Sequence, residues 1–156
     1  MNRKYEEFLL VSKKLNKGLN IVPVLYGSLG LEIVTGIDFS PQDIDILVPK
    51  RFLDENWPLL METMEKLGYT QIDLHEHKFK KSDIEIGFAF EEHLLPFARI
   101  HYNKLEIITD QNVSYKLLSE EEYLLVYKQS VKDSYRRTKN NNKDLKKIEI
   151  LEKILN

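Results

Sequence analysis

Residues 43–48 most restrict the folds open to this chain, because acidic and apolar side chains alternate through the first half of this segment. Alternation with a period of two is typical of a strand that buries one face, and a proline ends the segment. Ile44 and Ile46 are predicted to point into a core, while Asp43 and Asp45 project from the other face, roughly 6–7 Å apart at their backbones. The segment therefore predicts a sheet with one packed face and two carboxylates on the other.

A glycine-serine pair lies upstream of this strand. Residues 21–26 are short, branched and apolar, which predicts a buried strand, and a short helix that ends at Gly36 is predicted to follow it. Gly27 would let the backbone approach a phosphate closely, and Ser28 would offer a hydroxyl and free amide groups where the helix begins. Gly27 and Ser28 are therefore candidate phosphate-binding residues.

A further acidic segment, 83–86, repeats the alternation. Asp83 and Glu85 are predicted to share one face of a strand. Neighbouring carboxylates repel one another when they are partly buried, and a hard divalent cation such as Mg²⁺ removes that repulsion. Asp43, Asp45 and Glu85, placed near a glycine-serine bend, together predict a site for a metal ion and a triphosphate.

Composition excludes several classes of protein. The chain has 156 residues, of which 42% are hydrophobic, so we expect a single folded domain over residues 1–156 rather than a disordered chain. The net charge of -2 argues against a protein that coats nucleic acid by bulk attraction, and the lack of cysteine excludes disulfides and thiolate metal sites. Without an apolar run long enough to span a bilayer, we expect a cytoplasmic protein with no membrane partner.

The rest of the pattern indicates a mixed α+β or α/β fold, with helices packed on a sheet and a helical C-terminal part over about 119–156. An opening amphipathic helix is predicted over residues 3–15 and another over 52–67. Ser119, with Glu122 three residues later, predicts a capped helix start. Period-two alternation predicts strands at Ile72/Leu74, Ile84/Ile86/Phe88, Ile100/Tyr102 and Leu105/Ile107.

The order Leu25, Gly27, Ser28 and then Asp43-Ile44-Asp45-Ile46 resembles the hallmark of the nucleotidyltransferase superfamily with the DNA polymerase β-like fold. The likeness is greatest to small bacterial members, the antibiotic nucleotidyltransferases and the minimal nucleotidyltransferases. Glu85 stands where that family has its third carboxylate. The chain departs from the pattern in a slightly longer spacer before Asp43 and in a glutamate where aspartate is commoner.

The resemblance implies an enzyme that transfers a nucleoside monophosphate from ATP or another nucleoside triphosphate to a hydroxyl acceptor. Asp43, Asp45 and Glu85 would be catalytic and would hold Mg²⁺, as two ions, with Glu85 accepting the hydroxyl proton. Gly27 and Ser28 would bind the phosphates. The acceptor could be a small molecule, a protein side chain or a tRNA end.

A basic stretch of the C-terminal part has three interpretations. It could be a solvated helix surface, a grip for an RNA acceptor, or a set of cleft cations that meet the nucleotide phosphates. The nucleotide-binding candidates from this stretch are Lys128, Lys132 and Arg136.

An alternative of a different class is a catalytically idle nucleotidyltransferase fold that acts as a binding or antitoxin-like module. The longer spacer, the glutamate at position 85 and the small size of the chain favour it. If the loop over residues 35–42 closed the cleft, binding alone would be the better interpretation.

Overall fold

The protein is described from a computed structural model, which covers residues 2–132 and 134–156, with the helix over 134–142 described by its backbone alone. Six α-helices and seven strands are found in this part of the chain. In chain order they are α1 (Arg3–Leu19), β1 (Val24–Tyr26), α2 (Gly27–Thr35), β2 (Ile44–Val48), α3 (Trp57–Lys66), β3 (Thr70–Asp73), β4 (Lys78–Lys81), β5 (Ile84–Phe90), α4 (Leu94–Ala98), β6 (Glu106–Asp110), β7 (Val113–Leu117), α5 (Glu120–Ser130) and α6 (Ser134–Leu155).

The strands form one mixed sheet in the order β3-β4-β5-β2-β1-β7-β6. β2 runs parallel to β5 and β1 runs parallel to β7, while the other neighbours are antiparallel. β1 and β2, which carry the two predicted site segments, are thus central strands next to each other. The predicted fold class, a mixed sheet with packed helices and a helical C-terminal end, is confirmed.

The first face of the sheet is covered by α1 and α3. Phe8 of α1 meets Tyr115 of β7 edge to face, with ring centroids 5.1 Å apart. Trp57 of α3 packs on Phe79 of β4 at 5.6 Å. Ile44 and its neighbour Ile46 point to this side and are fully buried, as their alternation with aspartate predicted.

The second face of the sheet carries Asp45 and is reached by α5 and α6, which pack on each other. α5 begins at the predicted capping box, in which Ser119 accepts from the Glu122 amide and the Glu122 side chain accepts from the Ser119 amide. The buried hydroxyl of Tyr123 then donates to the Leu25 carbonyl at 3.0 Å, and so fixes α5 to β1. Gly30 in α2 makes room for this tyrosine, because an added Cβ would lie 1.8 Å from its hydroxyl.

The strands predicted from sequence differ from those of the structure in two places. The strand predicted at Ile100/Tyr102 is wrong: α4 ends at Ala98, Arg99 after it is left-handed, and residues 102–104 form a 3-10 turn. Ile100 is buried because the chain turns inward after the helix, so its apolar character does not indicate a strand. β7 was not predicted, although Val113, Tyr115 and Leu117 alternate and are buried.

No described helix is both long enough and apolar enough to cross a lipid bilayer.

Candidate functional site

Asp45 lies at the centre of the site, in a row of residues that crosses four adjacent strands. The sheet register pairs it with Tyr26 of β1 on one side and with Gly87 of β5 on the other, and Gly87 pairs in turn with Lys78 of β4. Paired residues point to the same face of a sheet. The row therefore presents a tyrosine, a carboxylate, a gap at the glycine and a lysine on the second face.

The Asp45 carboxylate lies against the glycine-serine bend. An added Cβ at Gly27 would stand 2.3 Å from Asp45 Oδ2, and Gly27 has a φ of +66°, which side chains other than glycine rarely adopt. Only glycine permits this close approach. Because α2 begins at Gly27, the carboxylate lies beside the amide groups of a helix start. The N-cap residue Tyr26 makes no side-chain capping bond to these amides.

Ser28 connects the bend to the two C-terminal helices. Lys147 of α6 donates from Nζ to Ser28 Oγ at 3.0 Å, and the same ammonium lies 5.0 Å from the centre of the Tyr127 ring of α5. The Tyr127 hydroxyl also hydrogen-bonds Ser28, and its burial raises its pKa well above the usual value, so it stays protonated. A cation from the last helix thus stands over the predicted phosphate-binding serine.

Two cavities meet at this contact, since Ser28, Asp45 and Lys147 line both. The first, of about 530 Å³, is named the aromatic cavity. It is lined by Tyr26, Gly27, Ser28, Asp45, Ile46, Leu47, Glu76, Lys78, Gly87, Phe88, Ala89, His93, Phe97, Tyr123, Val126, Tyr127, Ser130 and Lys147. The second, of about 570 Å³, is named the lysine cavity. It is lined by Ser28, Asp38, Phe39, Ser40, Gln42, Asp43, Asp45, Lys143, Asp144, Lys146, Lys147 and Ile150.

The three predicted acidic residues share one face of the sheet but not one cavity. Asp43 precedes β2 by one residue and lines the lysine cavity with Asp45. Continuing the β2–β5 register by one residue sets Glu85 beside Asp43, yet Glu85 lines neither cavity. A hydrogen bond to Glu76 raises the pKa of Lys78, and the charges of Asp43 and Glu85 add to this effect. Lys78 therefore lies in the field of both acids.

The donor set fits Mg²⁺ only in part. Among the described residues, no three His, Cys, Asp or Glu side chains are close enough together to hold a metal ion. Asp43 and Asp45 nevertheless offer hard carboxylate oxygens in one cavity, beside the bend that would hold phosphates. In nucleotide enzymes Mg²⁺ is commonly bound by one or two carboxylates together with waters and substrate phosphates. The aspartate pair therefore fits a metal ion that arrives with a nucleotide.

The basic candidates have different positions. Lys128 forms an ion pair with Glu152 at 3.4 Å, with both side chains about half exposed, and lines neither cavity. Lys132 is exposed and also lines neither cavity. The side chain of Arg136 lies outside the described residues.

The cation that the structure does bring to the bend, Lys147, was not among the candidates. Its signal was the helical spacing of the last segment: Asp144, Ile148 and Leu151 form a buried stripe, and Lys147 lies beside that stripe. A lysine at such a position can bury its methylene stem, but only the packing of α6 against the bend shows that its ammonium meets Ser28. Lys78 was likewise not predicted, because only the pairing of β4 with β5 brings it to the acidic face.

Comparisons with known proteins show a close relative and a shared fold. The chain is 53% identical, over 151 residues, to the uncharacterized protein YnaI of Bacillus subtilis strain 168, and the match covers 97% of each chain. No family model matches the chain. Its fold is similar to the solution structure of the antibiotic-resistance factor ANT(2'')-Ia, a nucleotidyltransferase, with a TM-score of 0.61 and 12% identity. That match covers 100% of this chain and 86% of the other.

Proposed function

The chain belongs to the same family as YnaI of Bacillus subtilis, and we propose that it is a Mg²⁺-dependent enzyme that transfers a nucleoside monophosphate from a nucleoside triphosphate to a hydroxyl acceptor. The observation that carries the proposal is the contact of the Asp45 carboxylate with the Gly27 backbone, at a bend whose serine binds Lys147. The nucleotidyltransferase-like fold supports it. Because nucleoside triphosphates are intracellular, we also propose a cytoplasmic location.

The aspartate pair has the role of receiving the metal in this proposal. Asp43 and Asp45 would hold Mg²⁺, as two ions, with Glu85 as the third carboxylate. Bound there, the metal would neutralise triphosphate charge and align the reacting groups. Mg²⁺ bound to the triphosphate offsets the charge of both carboxylates and of the phosphates, so the Mg²⁺–nucleotide complex should bind better than the nucleotide alone.

The phosphates would lie in the lysine cavity. Its lining holds three lysines and four aspartates, so the lysines would meet phosphate oxygens while Mg²⁺ offsets the carboxylate charge; these residues are Lys143, Lys146, Lys147, Asp38, Asp43, Asp45 and Asp144. The Ser28 hydroxyl and the amide groups at the start of α2 would donate to the β- and γ-phosphates. These groups would hold the pyrophosphate that leaves.

The transfer itself requires little covalent chemistry from the protein. The acceptor oxygen forms a bond to the α-phosphorus while the bond from that phosphorus to the pyrophosphate oxygen breaks. The acceptor proton would pass to a carboxylate, and Glu85, on the same face of the sheet as Asp45, is the residue proposed for this role. Positioning and electrostatics would supply most of the rate.

Thermal unfolding with and without Mg²⁺ tests the proposal. The wild-type protein should melt at a higher temperature with Mg²⁺ and ATP, GTP, CTP or UTP together than with either component alone, because a ligand that binds the native state stabilises it. Asp45→Asn keeps the side-chain shape and removes its charge, so this gain should be lost. The matched control is Asp83→Asn, since Asp83 is exposed, lines neither cavity and forms an ion pair with Arg3 of α1. An equal gain in wild type and Asp45→Asn would contradict the proposal.

A second candidate function is nucleotide binding without transfer. The observation in its favour is that Glu85 lines neither cavity and no three acids are grouped among the described residues. Pyrophosphate release distinguishes the two functions. A protein that binds Mg²⁺–ATP but releases no pyrophosphate with small-molecule, protein or tRNA acceptors would be a binding module, including one of the antitoxin-like kind.

A further inference from the structure

The aromatic cavity adjoins the lysine cavity at Ser28, Asp45 and Lys147, and its walls are mostly apolar. α5 contributes Val126 and the ring of Tyr127 to these walls, β2 contributes Leu47 and α4 contributes Phe97. Its volume, about 530 Å³, is in the range of sites that bury a small organic ligand. A cavity of this composition suits a flat, apolar group better than a phosphate.

The floor of the aromatic cavity is kept open by two small residues of β5. Gly87 and Ala89 lie beside Asp45 and Leu47 in the register of β2 with β5. An added Cβ at Gly87 would meet its neighbours at 3.7 Å or more, which is ordinary contact, so the backbone does not require glycine there. Larger side chains at these two positions would instead fill the cavity.

The charged residues of the aromatic cavity balance one another. Of the described lining residues, Asp45 and Glu76 are acidic and Lys78 and Lys147 are basic. Glu76 already forms an ion pair with Lys78 at 3.0 Å. The cavity therefore has no surplus of negative charge with which to attract a polycation.

We propose that the aromatic cavity binds the acceptor, and that the acceptor is an uncharged aromatic compound with a hydroxyl group; this inference rests on the proposed transferase function. In-line transfer needs the attacking oxygen on the side of the phosphorus opposite to the leaving pyrophosphate. With the pyrophosphate beside the lysines, the adjoining aromatic cavity is the space left for the acceptor. The hydroxyl oxygen bonds to the α-phosphorus, pyrophosphate leaves with the electrons of the broken bond, and the proton passes by way of water to the Glu85 carboxylate, which shares the sheet face of Asp45 but lines neither cavity.

The first test is binding of 2-naphthol to the protein without nucleotide, followed by NMR chemical shifts. We expect shifts at residues of the aromatic cavity, and about tenfold weaker binding to Ala89→Leu, because the added side chain occupies the cavity. Thr109→Leu is the matched control, since it adds a leucine at an exposed position of β6 that lines neither cavity. A thermal melt of each variant confirms that it is folded.

The second test is transfer from α-labelled ATP with Mg²⁺ to 2-naphthol, to its methyl ether and to the polycation kanamycin. The naphthol should be labelled, the ether should bind without being labelled, and kanamycin should not displace either. Three results would overturn the inference: no naphthol binding, equal naphthol binding to wild type and Ala89→Leu, or kanamycin binding in the same cavity. A melting gain with Mg²⁺–ATP would in each case still support the transferase. Naphthol binding without any Mg²⁺–ATP gain would instead overturn the transferase and the acceptor role together.

Discussion

At the scale of single residues, the two glycines on either side of Asp45 have different reasons to be glycine. Gly27 has a left-handed φ and touches the carboxylate, whereas Gly87 has neither constraint. Glycine is required at position 27 because of both the backbone conformation and the contact with Asp45. Gly87 instead leaves space on the face of the sheet.

Gly27→Ala and Gly87→Ala form a matched pair that tests this difference. We expect Gly27→Ala to lower the free energy of unfolding by about 1–3 kcal/mol, because alanine is strained at φ +66° and its Cβ displaces Asp45. Gly87→Ala should stay within about 0.5 kcal/mol of wild type. Denaturant unfolding measures both, and equal losses would show that the left-handed bend has no special role.

Lys147 and Lys128 are both possible phosphate ligands, but only Lys147 contacts the glycine-serine bend. Lys147→Met should weaken Mg²⁺–ATP binding by about ten- to a hundredfold, since it removes a charged donor at the bend. Lys128→Met should have little effect, because its ammonium pairs with Glu152 outside both cavities. Calorimetric titration with Mg²⁺–ATP measures the difference. A larger loss in Lys128→Met would restore the sequence-based assignment of that lysine.

At the scale of elements, the alternation of residues 43–48 predicted β2 and its buried face, because period two is a local property of the chain. The capping box predicted the start of α5 for the same reason. Lys78 and Lys147 could not be found in this way. Each reaches the site through strand pairing or helix packing between distant segments, and such pairing leaves only a weak local signal.

The junction of α2 with α5 depends on Gly30. Gly30→Ala should lower the free energy of unfolding by about 2–3 kcal/mol, because its Cβ would collide with the Tyr123 hydroxyl and lie 2.8 Å from the Leu25 carbonyl. Gly18→Ala in α1 is the control for helix propensity, since its Cβ meets nothing within 4 Å and should stabilise by about 0.5–1 kcal/mol. Thermal or denaturant unfolding measures both variants. Similar gains in the two variants would show that Gly30 makes no close contact with α5.

At the scale of the whole molecule, Glu7 connects α1 to the far part of the sheet. The Tyr69 hydroxyl donates to Glu7 Oε2 at 2.6 Å, and the Lys81 ammonium lies 2.7 Å from the same oxygen. Burial acts to raise the pKa of Glu7, but these two donors outweigh it and lower the pKa below 4.5. The ionised form is therefore favoured in the folded protein.

Glu7→Gln should remove a pH-dependent contribution to stability, because the amide of glutamine does not titrate. A lowered folded-state pKa contributes stability above the unfolded-state pKa, near 4.5, and that stability is lost as the pH falls through the folded-state value. The variant should lose about 1–2 kcal/mol at pH 7, and the gap to wild type should close below pH 4.5. Glu62→Gln is the control, because its pair with Lys66 is exposed. Unfolding curves from pH 3 to 8 would show a constant gap if the ion pair had no part in stability.

The bond between Ser28 and Lys147 spans 119 positions of the sequence. During synthesis on the ribosome the bend emerges well before the lysine, which follows it by 119 positions. Pairing of β1 with β7 waits in the same way for a segment about ninety residues downstream. A nascent chain can therefore form the antiparallel pair of β1 and β2 while the bend still lacks its lysine, so the Ser28–Lys147 contact should form only after α6 has left the ribosome.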